Sequence, residues 1–162
     1  MITASQLAGF FAAHAIWCVS DGDTLIPMLA YSTEDGERNM NRLAFDDMGE
    51  AVQAGKQRLA SNDMNAEDAA LLCDARIPIG DQKVDAIIIE LRAYFSPGSE
   101  MMIAIPYTPA GEKEFRVHRP KLLQWDQCDD FDLDAVMEAF FEGVASHEKG
   151  SAIWNQALDE SI

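Results

Sequence analysis

Alternate residues of the segment Lys83–Phe95 fall into two sets. Ile87, Ile89, Leu91 and Phe95 form one apolar face, and Ala86, Ile88, Glu90, Arg92 and Tyr94 form the other. Period-two alternation of this kind marks a strand with one side against a core. Nearby strands offer Asp74 and Arg76 upstream, and Arg116 and His118 downstream. Aligned registers would put Glu90, Arg92, Tyr94, Arg116 and His118 on one sheet surface. A carboxylate beside an imidazole can exchange protons with a substrate, and neighbouring arginines can hold an anion. Catalysis would rest on Glu90 and His118, with Arg92, Tyr94 and Arg116 as binding groups. A solvent-facing sheet with cross-strand ion pairs produces the same pattern. That simpler account is preferred, because the spacing specifies no reaction.

Other chemistry-bearing residues are accounted for by ordinary roles. Asp130, Asp132 and Asp134 have the spacing that opens a calcium loop, but Ala135 stands where glycine is needed and Phe141 where the bidentate glutamate is needed. Acids at that point suit a helix start, by capping and by the macrodipole. Lys113, Arg116, His118, Arg119 and Lys121 are the one basic cluster, expected to neutralise the acidic C-terminal helix or to lie across from Glu90. His14 and His147 have no H-E-x-x-H spacing; His14 reads as a packed histidine, and His147 as one placed near a helix C-terminus. Cys18, Cys73 and Cys128 are odd in number and far apart, which points to free thiols rather than a disulfide framework. A Cys73–His118 nucleophilic pair has no elbow or oxyanion signature beside it. Ser96-Pro97-Gly98-Ser99 lacks the second glycine and the lysine of a phosphate loop. No metal or cofactor is expected.

The elements that position these residues are legible from period and punctuation. Thr3 and Gln6 have the spacing of a capping box, opening a helix to about Cys18 with Leu7, Phe10, Phe11, Ala15 and Cys18 on its buried face. Thr24–Tyr31 and Arg38–Phe45 read as a hairpin across Glu34-Asp35-Gly36, with Pro27 marking an edge or bulge. Asp46 or Asp47 caps a second helix to about Leu59, with Met48, Val52 and Leu59 as its core stripe. Ala69–Ile79, Lys83–Phe95, Met101–Tyr107 and Glu114–Leu123 are strands joined by short turns, and so are antiparallel neighbours. A last helix starts near Asp132, stapled by Phe131 and Val136, and ends near Gly150; a short helical segment, Ala152–Leu158, follows. The order α-β-β-α-β-β-β-β-α predicts one α+β domain over residues 1–162: two layers, with an antiparallel β-meander of about six strands packed with helices.

Charge is the strongest compositional signal. The chain of 162 residues has a formal net charge of −16, and Asp126–Ile162 holds ten carboxylates against one lysine. With Phe131, Val136, Phe140, Phe141 and Trp154 among them, these acids lie on a folded amphipathic element rather than on a disordered tail. Such a field repels nucleic acid and anionic membrane and attracts basic partners. No stretch looks long and apolar enough to span a bilayer. Leu7–Val19 lacks the basic flank of a signal peptide and is expected to be the first core helix of a cytoplasmic protein.

Two classes of function follow. The first is a non-catalytic protein-binding module for a basic or partly unfolded partner, with Asp130, Asp134, Glu138 and Glu142 on its contact face. In size and charge the chain resembles secretion chaperones and immunity proteins that neutralise basic toxins. That resemblance is compositional and rests on no motif. The alternative is an enzyme or a small-molecule or anion binder using the mixed sheet face around Glu90, Tyr94 and His118. Either could act as a homodimer, since a meander has edges that can pair across a two-fold axis, with Pro27 and Pro120 reading as edge protection.

Overall fold

A computed structural model describes residues 1–162. Its elements are α1 (Ile2–Val19), β1 (Met28–Ser32), β2 (Arg38–Arg42), α2 (Met48–Ser61), β3 (Asp68–Ile79), β4 (Gln82–Ala93), β5 (Glu100–Thr108), β6 (Arg116–Val117), β7 (Lys121–Asp126), α3 (Leu133–Ser146) and α4 (Glu148–Ala157). The fold is α+β, with all strands in one antiparallel sheet of order β2-β1-β3-β4-β5-β6. β7 joins the same side of β5 as β6, further along.

The single strand expected over Glu114–Leu123 is therefore two. The backbone N–H of His118 still donates to the Pro106 carbonyl at 2.9 Å. Pro120, next but one, has no N–H to give, and pairing resumes only at Lys121. Pro120 does lie on a sheet edge, but Pro27 precedes β1, which is flanked by β2 and β3. The outer strand β2 is short and polar, the form in which natural edges resist further pairing.

The main core lies between the sheet and α1, α3 and α4. Leu7, Ile16, Met28, Leu72, Ile87, Ile89, Leu91, Met101 and Phe140 are fully or almost fully buried there. α1 is covered around most of its circumference, so the apolar stripe read from spacing understates its burial. It has 18 residues with a mean hydropathy of 1.4, enough by length and composition to cross a membrane, contrary to the expectation from sequence. In this fold its apolar surface is spent on the sheet and on α3 and α4. The capping box does not form: Met1 is the N-cap residue and no side chain caps the helix.

α2 covers part of the opposite sheet face. Asp47 caps it, accepting from Glu50 N–H at 3.1 Å. Its buried side is Ala51, Gly55 and Leu59, whereas Met48 is exposed and Val52 half-buried. The small residues win because the helix lies close on Leu43 and Leu71, with Gly55 facing both. Asp132 caps α3, accepting from Asp134 and Ala135 N–H at 3.0 and 3.3 Å. α3 ends at Ser146, and His147 is both its C-cap and the N-cap of α4, so His147 stands at a helix C-terminus, as the sequence predicts, and opens the next helix as well.

Candidate functional site

The mixed face of β4 exists, but it is divided. Glu90 lies under α2, 8% exposed, with Lys56 Nζ at 3.3 Å. Tyr94 donates its hydroxyl to the Leu59 carbonyl at 2.6 Å, and burial pushes its pKa up to about 12. Arg92 donates to the Leu91 carbonyl and stands 3.5 Å from Glu100. These three side chains hold α2 and the sheet end in place.

Arg116 and His118 belong to another place. Glu90 is opposite Met102, and His118 bonds at Pro106, four positions along β5. That is roughly 13 Å along the strand, plus two strand spacings of about 4.8 Å across it. Arg116 pairs with Glu114 at 2.6 Å in the exposed hairpin. His118 is 5% exposed, its Nε2 3.0 Å from the Thr108 hydroxyl and its Nδ1 3.0 Å from the Asp159 carbonyl. The carbonyl can only accept, so Nδ1 carries a proton. Glu90 and His118 therefore cannot share a proton transfer. The basic cluster does not face Glu90 and forms no ion pair with the C-terminal acids, but it meets the C-terminal arm. Asp159 N–H donates to the Val117 carbonyl at 2.8 Å, and the Asp159 carboxyl is held below its usual range by hydrogen bonds from Ser161 and, to a lesser extent, by the His118 and Arg116 charges.

Cys73 is three strands from β6, so the Cys73–His118 pair does not form either. All three thiols are free. Burial, and then the Glu90 charge, push Cys73 up to about 11; burial raises Cys18 and Cys128 as well. A thiol held protonated is a poor nucleophile.

One titratable group was not legible from spacing. Tyr107 donates its hydroxyl to Asp74, whose oxygens lie 2.8 and 2.9 Å away. Burial raises Asp74, the hydrogen bond opposes that rise, and the nearby Asp85 charge adds to it. Register places Asp85 opposite both Arg76 and Tyr107, so the group spans three neighbouring strands, with the buried Tyr107 at its inner end. Two open depressions border it: one of about 300 Å³ is lined by Cys73, Asp74, Arg76 and Asp85, and one of about 380 Å³ by Lys83, Asp85, Tyr107 and Lys113. Elsewhere, one of about 430 Å³ is lined by Thr3, Ser32, Glu34, Arg38 and Asp68; another of about 280 Å³ lies between Arg119, Phe141, Trp154 and Leu158.

The acidic region takes the form the sequence predicts for a folded element. Val136, Phe140 and Trp154 are buried, while Asp130, Asp134, Glu138 and Glu142 are exposed. Glu142 accepts from Gln6 Nε2 at 3.0 Å. No lysine or arginine occurs between Lys121 and Lys149, and none of the four ion pairs in the molecule uses a carboxylate beyond Glu114.

Beside this region is an aromatic group that the alternation rule misplaces. Alternation puts Phe95 on the core face of β4, but β4 ends at Ala93 and Phe95 is 65% exposed. Its ring stands 6.0 Å from that of Phe131, which stands 6.5 Å from Trp125, each pair near perpendicular. Ser99 Oγ fixes the two loops by donating to the Gln127 carbonyl at 2.8 Å. Gly98, at φ +89°, leaves room for the Gln127 amide. Comparison with family models, curated proteins and solved structures finds no match to this chain.

Proposed function

We propose that this chain is a non-catalytic binding module whose partner is a basic, or basic and partly unfolded, protein. The observation that carries the reading is the unneutralised acidic surface of Asp129–Glu148, whose carboxylates stand in solvent with no ion-pair partner. Isolated like charges on a folded helix cost self-repulsion in the free protein, a cost that a cationic partner relieves. They also steer encounter over a Debye length of about 8 Å at physiological salt. Asp132 is committed to capping α3 and Glu142 has the Gln6 amide; Asp130, Asp134 and Glu138 are free to turn to a partner.

The test is the association rate with a synthetic peptide of alternating lysine and arginine, measured by stopped flow across salt concentrations. Wild type should associate faster at low salt, and Glu138→Lys/Glu142→Lys should lower the rate by about tenfold or more. Association that is absent, or indifferent to salt and to the reversal, overturns the reading.

A further inference from the structure

Phe95, Phe131 and Trp125 form an aromatic group at the surface, beside the acidic start of α3. Phe95 leads the exposed large apolar residues, at 65%. Phe131 and Trp125 are half-buried and anchored against the main core. Leu133, two residues beyond Phe131 in sequence, is also exposed, at 37%. An isolated exposed apolar residue needs no explanation, but a contiguous set held by two mutually bonded loops does.

What covers this patch is decided by charge. Phe131 is bracketed in sequence by Asp129, Asp130 and Asp132, and Asp134 follows in the first turn of α3. An anionic or purely apolar partner would have to bury these carboxylates without compensation, which is costly. Between like-charged acids, an aromatic face attracts a cation twice over: by its quadrupole and through the field of the carboxylates. Near-perpendicular ring planes present faces in more than one direction, as the walls of a cation-binding corner do. Arginine fits better than lysine, because its guanidinium stacks flat on a ring while its N–H fork reaches a carboxylate.

We infer that Phe95, Phe131 and Trp125, with Asp129 and Asp130, form the recognition point for an arginine side chain of a basic protein partner. This rests on the acidic-module reading above and gives it a location. The carboxylates of α3 supply attraction at a distance; the aromatic corner supplies short-range selectivity. Glu100 and Asp126 lie at the rim but are already engaged by Gln124 at 3.0 and 2.6 Å.

The test is a titration of the isotopically labelled full chain with octa-arginine and with octa-lysine, followed by amide and indole NMR signals at low and at raised salt. The expected result is shifts concentrated at Phe95, the Trp125 indole and residues 129–132, with octa-arginine bound more tightly than octa-lysine. Phe95→Ala, at an exposed position that leaves the fold intact, should weaken octa-arginine binding about fivefold without changing its salt dependence. Asp129→Asn/Asp130→Asn should reduce both affinity and salt dependence. If shifts spread along α3 and Phe95→Ala binds like wild type, the aromatic recognition point is wrong and the acidic module stands. If wild type binds neither peptide at low salt, the acidic-module reading itself is overturned, and this inference with it.

Discussion

Nε2 of His147 lies 3.2 Å from Nδ1 of His14, while the other ring nitrogen of His147 accepts the backbone N–H of Gly150 at 2.9 Å. The two contacts fix the protons. Nδ1 of His147 must be bare to accept from Gly150, so Nε2 carries the proton and donates to Nδ1 of His14. A further proton on either ring must occupy a nitrogen on this path, and then either the helix cap or the histidine bond is lost. His118 holds the Asp159 carbonyl beyond the other end of α4. All three histidines of the chain thus fasten one C-terminal arm.

Acid should therefore loosen this arm first. Burial depresses the His14 pKa, helped by His147 and Arg42, and burial depresses that of His147. Lys149, over the Trp17 ring, and Arg38, over Phe10, bring further positive charge to the same corner. The unfolded chain takes up protons near pH 6.5, and the folded pair does so only at lower pH. Stability is thus fully present above about pH 6.5 and falls as pH drops towards the folded values. Urea midpoints between pH 7.5 and 5 should show that decline. His147→Asn keeps a capping side chain that cannot take up a proton, so it should cost no more than about 1 kcal/mol at pH 7 and flatten the decline. An equally steep decline in the variant would assign the pH dependence to other groups.

Asp74 should show the opposite sign. Its pKa is raised, so the ionised form costs stability at neutral pH, and that cost is relieved as pH falls through the folded value. Asp74→Asn keeps an acceptor for the Tyr107 hydroxyl and removes the repulsion from Asp85. The group is half-exposed and solvent-screened, so a gain of only a few tenths of a kcal/mol is expected at pH 7, shrinking towards pH 4. Denaturant melts at both pH values measure it. A loss above about 1 kcal/mol at pH 7 would mean that the Tyr107 bond needs the full carboxylate charge.

The crossing of α1 and α3 should tolerate no methyl group. A Cβ on Gly9 would collide with the Phe140 carbonyl, and one on Gly143 with the Gln6 carbonyl. Both obstacles are backbone and cannot rotate aside. Gly9→Ala should cost about 3 kcal/mol in equilibrium unfolding, the upper range for overpacking. Gly49→Ala, where the nearest atom is a side-chain oxygen of Asp47 at 3.1 Å, should be neutral or stabilising by up to about 1 kcal/mol, since alanine is the better helix former. Equal costs at the two sites would argue against the close helix approach.

Local chemistry carried much of the fold. Alternation placed β3, β4 and β5 to within one or two residues, because the strand period is a property of neighbours along the chain. The caps Asp47 and Asp132 were readable for the same reason, each satisfying N–H groups only two or three positions away. Charge counting located the acidic surface, since charge needs no coordinates.

What the sequence determined by itself is the α+β class, the antiparallel strand run, the free thiols and the sign and position of the field. Which of two faces a strand residue meets, and how far along a neighbour it lies, was decided by tertiary structure. Glu90 and His118 have compatible spacing, yet α2 covers one and the strand break at Pro120 leaves the other with the C-terminal arm. Phe95 continues the core alternation but falls past the strand end, where no helix reaches it. His14 and His147 are 133 positions apart in the chain. Their contact, like the glycine crossing of α1 and α3, comes from packing between distant segments, which no local period encodes.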